Sequence, residues 1–186
     1  LPDTPVTESE LKEAFDATLG TNRVYLFDHF GSSDVDNIAN RIRYMAKACD
    51  CRVIFLDHIS IVVSGLDNGD ERKAIDAMMT KLRTLVQELE VTLICVSHLR
   101  RPQGNAGHED GQAVSLSQLR GSGAIAQLSD AVITLERNSM AENELERHRT
   151  KVAVAKNRYN GYTGPACELQ YIKDTGRMME MKEEPL

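Results

Sequence analysis

Val53-Ile54-Phe55-Leu56-Asp57 is a short apolar run that stops on an acid. Four large apolar side chains in succession do not alternate with polar ones. The run therefore predicts a strand covered on both faces, as in a parallel sheet flanked by helices. An acid at the carboxyl end of such a strand stands where open α/β sheets bind ligands. Nucleotide hydrolases place there the acid that holds magnesium through water. The same acid can also serve as a helix N-cap or a turn residue, and the run alone does not choose.

The flanking segments repeat the pattern. Residues 23–28 read as a strand, and Ser32 or Ser33 caps a helix whose apolar stripe is Val35, Ile38, Ile42, Met45 and Cys49. After the run, residues 64–70 form a turn-rich loop. A long helix follows, with Ile75, Met78, Leu82, Leu85 and Leu89 on one stripe. Residues 91–96 are a second buried strand, ending at Ser97-His98. Strand, helix, strand, helix, strand predicts parallel pairing with right-handed crossovers. Upstream, Thr7-Glu8-Ser9-Glu10 is a capping box for a short helix that Gly20 stops. Downstream, residues 100–113 are polar and aperiodic, which in a compact domain marks a functional or disordered loop. Residues 115–128 look helical despite Gly121 and Gly123, and residues 131–135 read as a strand. Residues 139–150 form a charged, solvated excursion. Residues 151–156 and 167–172 form an antiparallel pair, and Asp174-Thr175-Gly176 turns into a last strand at 178–181.

Composition bounds the partners. A net charge of -6 excludes a uniformly basic coat for nucleic acid but leaves room for a local basic loop. No segment approaches the roughly 20 apolar residues of a membrane helix, and no signal peptide is visible. Cys49, Cys51, Cys95 and Cys167 match neither a disulfide framework nor a zinc pattern. They read as reduced thiols of a cytoplasmic protein.

Further features carry chemistry beside Asp57. His98 at a strand end can donate to a γ-phosphate, or be a satisfied structural imidazole. Arg100 and Arg101 open the polar loop and can track phosphates, although a dibasic loop is often only solvated. Arg120-Gly121-Ser122-Gly123 offers glycine amides beside a cation. Glycines inside a helix each cost about 1 kcal/mol, so the Gly-x-Gly asks for a reason. Lys156 and Arg158 alternate on a strand before a glycine-rich turn and point the same way. Such a pair can reach a phosphate on a neighbouring subunit, or can simply protect a sheet edge.

Five ordered stretches together resemble a known family. They are residues 53–64 (VIFLDHISIVVS), 70–73 (DERK), 119–124 (LRGSGA), 127–137 (QLSDAVITLER) and 156–164 (KNRYNGYTG). The series resembles the helicase domain of phage primase-helicases and, more loosely, bacterial DnaB and mitochondrial Twinkle. The resemblance implies an α/β fold with a RecA-like core, a mostly parallel twisted sheet flanked by helices, and a C-terminal antiparallel extension. Residues 1–186 would be a single partial ATPase domain, with core elements over about 24–136 and terminal antiparallel strands over 151–183. Its partners would be single-stranded DNA, identical subunits in a hexameric ring, and primase and polymerase. Its cofactors would be Mg2+ and ATP or another nucleoside triphosphate.

By the same resemblance Asp57 is the acid of the magnesium shell and His98 the γ-phosphate sensor. Arg158 is an arginine finger with Lys156 beside it. Arg137 approaches nucleotide phosphates from across the interface, and Tyr171 packs on the base. Arg100, Arg101 and residues 103–113 match the loop that grips single-stranded DNA. Residues 64–73, with Lys73, match a second channel loop, and Arg120 to Gly123 a third contact. The channel loop departs from the phage pattern, since it carries Glu109 and Asp110 and no aromatic residue. A larger departure is that Gly-x-x-x-x-Gly-Lys-Ser/Thr is nowhere in the sequence. The first strand, phosphate loop and first helix of the family are expected upstream of residue 1, so the piece alone should be inactive.

Other readings remain. A RecA-like recombinase or circadian-clock-type ATPase shares the core but not the DERK and KNRYNGYTG stretches. A metal-dependent hydrolase would use Asp28-His29, Asp57-His58 and His98 at strand ends. A non-catalytic module would only oligomerise or bind single strands.

Overall fold

The computed structural model describes residues 6–27, 34–63, 68–99, 114, 116, 119 and 123–181. The elements in chain order are α1 (Glu8–Ala17), α2 (Val35–Ala48), β1 (Val53–Leu56), α3 (Asn68–Leu89) and β2 (Thr92–Cys95). They continue with α4 (Gly123–Leu128), β3 (Ala131–Arg137), α5 (Glu144–Arg147), β4 (Arg149–Asn157), β5 (Gly164–Ile172) and β6 (Arg177–Glu180). Short 3-10 turns follow α1 at Leu19–Thr21 and β1 at Ile59–Val63.

Local sequence sets the helix starts. The Thr7 N–H donates to Glu10 Oε2 at 2.9 Å and the Glu10 N–H to Thr7 Oγ1 at 3.3 Å, closing the expected capping box on α1. The cap of α2 is Asp34, whose Oδ1 accepts from the Asn37 N–H at 2.7 Å, not Ser32 or Ser33. Aspartate caps as well as serine, and it is the residue directly before the apolar stripe. Helix α3 begins at Asn68, inside the segment expected to be loop, with Asp70 and Glu71 favourably placed in its first turn.

The sheets fall into two groups. β1 and β2 pair in parallel, with Val53 opposite Thr92 and Leu56 opposite Cys95. β3, β4, β5 and β6 form an antiparallel sheet in that order. Lys151 and Cys167 thus lie in paired strands, as expected, and the turn before β6 uses Gly176 at φ +66. β3 was expected within the core layer. It instead heads the antiparallel sheet, pairing with β4 through a bulge after Val132. Residues 23–27 adopt no strand, and Asp28 and His29 lie outside the described residues. Val24, Tyr25, Leu26 and Phe27 are exposed there, because among the described residues no neighbouring strand pairs with them.

The core is one-sided. Ile38 and Ile42 of α2, Ile75, Met78, Leu82 and Leu85 of α3, and Ile125 of α4 pack together with Ile54 of β1. Ile54 is 4% exposed, whereas Phe55 is 71% and Val53 53% exposed. The strand at 53–56 is therefore buried on one face, not two, and Ile94 and Val96 near β2 share the exposed side. The physical reason is that α2, α3 and α4 pack on the same side, and among the described residues no helix covers the other. Among the described residues no helix is long and apolar enough to cross a membrane.

Candidate functional site

The carboxyl ends of β1 and β2 form the first cluster. Their parallel register brings Leu56 beside Cys95, so the residues that follow each strand emerge together. The Val96 N–H donates to Leu56 O at 2.9 Å, and the Ile59 N–H donates to Val96 O at 2.9 Å. These bonds stitch the two strand exits into one rim. Asp57 stands exposed on that rim. His58 follows it, and its ring meets that of His98 edge to face, with centroids 4.3 Å apart. Nδ1 of His58 is buried and has no hydrogen-bond partner among the described residues. His58 was not assigned a role in the helicase reading; its only sequence signal is its place directly after the strand-end acid. Burial pushes the Cys95 thiol up to about 11, so this cysteine is protonated at neutral pH and is no nucleophile.

A second cluster lies where β4 runs past the end of α4. Lys156 Nζ donates to three carbonyls, Ala126 O at 2.6 Å, Gln127 O at 3.1 Å and Ser129 O at 2.8 Å. The last carbonyls of a helix have no partner within it, and a lysine here satisfies them. Arg158, one residue beyond β4, donates from Nη1 to Asp130 Oδ1 at 3.2 Å and from Nη2 to Gln127 O at 2.9 Å. The other oxygen of Asp130 accepts from Arg83 of α3. Lys156 and Arg158 thus converge, as their spacing predicted, but on the end of α4 within the same chain.

Arg137 and Tyr171 each bond to the backbone of residues 147–148, at a third place. Arg137 Nε donates to Arg147 O at 2.6 Å, and the Tyr171 N–H donates to His148 O at 2.9 Å. The rings of Tyr171 and His148 lie 5.8 Å apart. Ala131 pairs with Asn157 and Arg137 with Thr150, so this corner and the Arg158 cluster occupy opposite ends of the β3–β4 ribbon. At the usual rise per strand residue the ends are roughly 20 Å apart.

The residues expected to touch DNA are only partly in view. Arg100, Arg101, Arg120, Gly121 and Ser122, with residues 101–113, lie outside the described residues. Lys73 sits in the first turns of α3, not on a loop, and pairs with Asp70 at 3.8 Å. Gly123 is the first described residue of α4, and a Cβ added there would meet open space. Leu99 forms a bridge with Leu119, tying the exit of β2 to the segment before α4. Among the described residues no group of three or more His, Cys, Asp or Glu is placed to hold a metal ion directly. Asp28 and His29, which the metal-dependent hydrolase would also use, lie outside the described residues.

Residues 5–180 match the model of the DnaB-like helicase C-terminal domain. The DNA helicase/primase of Enterobacteria phage T3 is 40% identical over 169 residues, covering 91% of this chain and 29% of that protein. The replicative DNA helicase DnaB of Treponema pallidum is 30% identical over 138 residues, covering 74% of this chain and 28% of the relative. The chain thus spans under a third of the length of these relatives. Among solved structures, a DnaB-like replicative helicase that interacts with primase superposes with TM-score 0.70 at 24% identity, covering 97% of this chain and 44% of its own. A KaiC-like protein from Pyrococcus horikoshii superposes with TM-score 0.60 at 16% identity, covering 95% of this chain and 71% of its own. The fold is RecA-like, of the DnaB type. The family match spans nearly all of the sequence, and the chain belongs to the DnaB-like helicase C-terminal domains.

Proposed function

We propose that this chain forms part of the motor of a ring-shaped replicative DNA helicase, which couples nucleoside triphosphate hydrolysis to movement along one DNA strand. Residues 1–186 would be a single partial RecA-like ATPase domain. The observation that carries the reading is the β1–β2 register, which places Asp57 and His98 on one rim. Asp57 would orient the water shell of magnesium, and His98 would hydrogen-bond the γ-phosphate and respond to its loss. Magnesium, when bound, neutralises charge on the phosphates. The sequence holds no phosphate loop, so the lysine and amides that cradle the β- and γ-phosphates come from outside these residues.

Arg158 would complete the site of the adjacent subunit. A site split this way requires a head-to-tail interface, which closes into a ring. Its guanidinium is half exposed on the side chain and has donors left after its bonds to Asp130 and Gln127. Arg137 and Tyr171 would contact the nucleotide from the far end of the β3–β4 ribbon, with Tyr171 packed on the base and Lys156 fixing the near end. Single-stranded DNA would follow the central channel past Arg100, Arg101, Lys73 and Arg120 to Gly123. The apolar residues Leu99 and Leu119, bridged to one another, support a link between the nucleotide rim and that DNA-contact segment.

Two measurements in the full-length protein test this. Magnesium-dependent, DNA-stimulated hydrolysis is expected to fall by about 10²-fold or more in Asp57→Asn, since one carboxylate orients the ion's shell. Turnover at the wild-type rate would remove Asp57 from the site. Arg101→Ala is expected to lessen the slope of log affinity against log salt by about 0.7 for single strands, the value of one lost phosphate contact. An unchanged slope would place Arg101 away from the DNA.

A further inference from the structure

We infer that Asp130 is the positioning residue of Arg158, holding its guanidinium at a fixed pose with donors free to meet a phosphate. The inference rests on the reading of Arg158 as a residue that acts on nucleotide. Three bonds fix Arg158 to the end of α4 and the turn that follows it. Its backbone N–H donates to Asp130 O at 2.8 Å, its Nη1 to Asp130 Oδ1 at 3.2 Å and its Nη2 to Gln127 O at 2.9 Å. Both terminal nitrogens of the guanidinium are thereby anchored, while the side chain remains half exposed. An arginine has five N–H donors, so most stay available for a second acceptor.

The second oxygen of Asp130 is the informative one. It accepts from Arg83 of α3, which follows the buried Leu82 in sequence. Arg83 takes Oδ2 and Arg158 takes Oδ1, so in this pose Asp130 meets Arg158 through a single bond, not a bidentate pair. The carboxylate orients the arginine through one N–H, and the guanidinium keeps donors beyond that bond and the bond to Gln127 O. It is braced in turn by a helix whose opposite face is the core. Lys156, on the carbonyls of Ala126, Gln127 and Ser129, steadies the same turn and keeps Gln127 O in place for Arg158. A long arginine side chain left without these anchors samples many rotamers, and misplacement by about 1 Å can cost 10²-fold in rate.

The test is a double-mutant cycle on DNA-stimulated nucleoside triphosphate hydrolysis by the full-length protein. It uses Asp130→Ala, Arg158→Ala and the pair together. Asp130→Ala is expected to lower kcat between about 10-fold and 100-fold, with KM changed less than about 2-fold, since the lost interaction serves the transition state. The double variant is expected to be no slower than Arg158→Ala alone. Asp130→Asn, which keeps the shape and an acceptor oxygen, is expected to show a smaller loss of the same kind, and it serves if the alanine variant does not fold. A double variant slower by the full product of the single losses would overturn the inference. So would wild-type kcat in both Asp130 variants beside a slow Arg158→Ala, with the role of Arg158 left standing. Wild-type turnover in Arg158→Ala would instead remove the finger and its positioning residue together.

Discussion

In the full-length protein, Arg158→Ala is expected to lower nucleoside triphosphate turnover by about 10³-fold or more while the domain stays folded. Charge spreads over the γ-phosphoryl oxygens as the bond to the leaving group breaks, and an arginine supplied across an interface neutralises it. The interaction strengthens in the transition state, so kcat should fall while KM changes little. Stability should barely move. The guanidinium is half exposed, and its removal leaves Asp130 still paired with Arg83. Exposed ion pairs contribute about 0–1 kcal/mol. Steady-state kinetics beside thermal unfolding checks both halves. Unchanged turnover removes Arg158 from catalysis, and a large drop in unfolding temperature makes its role structural.

Leu85→Ala should destabilise the 186-residue chain by about 2–5 kcal/mol. Leu85 is 1% exposed near the C-terminal end of α3, in the core that this helix shares with α2, α4 and β1. Truncation removes buried methyl groups and leaves a cavity that a helix held on several sides cannot collapse to fill. Against a total stability of about 5–15 kcal/mol this is a large share. Phe55→Ser is the contrast. Phe55 is 71% exposed on the uncovered side of β1, and its replacement should cost less than about 0.5 kcal/mol in this chain. Urea unfolding of the two variants measures the difference. Equal losses would show that both faces of β1 are buried.

Much of this was readable from residues because local and global signals coincide. The stripe of Ile75, Met78, Leu82 and Leu85 recurs at helical spacing, and all four are buried in α3. Thr7 and Glu10 have only to satisfy one another, so their capping box needs no tertiary knowledge. The run at 53–56 was misjudged on one point. A sequence can mark a strand as apolar on both sides, but only the packing of other elements decides which side is covered, and Phe55 stays exposed. Residues 23–27 failed for the same reason, since a strand exists only where a neighbour supplies hydrogen bonds. Their composition carries no information about that neighbour.

The site divided along similar lines. Asp57 and His98 were legible as strand ends, and the parallel register brings those ends together. The partners of Lys156 and Arg158 were not legible. Ala126, Gln127 and Ser129 contribute backbone carbonyls, which any residue carries, so no side-chain pattern announces them. Asp130 is one acid among many in a chain with 28 Asp and Glu, and only its position between Arg83 and Arg158 distinguishes it. Lys73 was displaced from loop to helix because the DERK acids suit a first helical turn as well as they suit a loop.

The central claim is that the catalytic site is shared between subunits, with Asp57 from one and Arg158 from the next. Mixing full-length Asp57→Ala and Arg158→Ala proteins, each inactive alone, tests it most directly. In a mixed ring, some interfaces place an intact Asp57 against an intact Arg158. The account predicts DNA-stimulated hydrolysis that appears on mixing and peaks near equal proportions. A mixture as inactive as its components, with mixed rings demonstrated by a tagged subunit, would contradict it and place Arg158 in the site of its own chain.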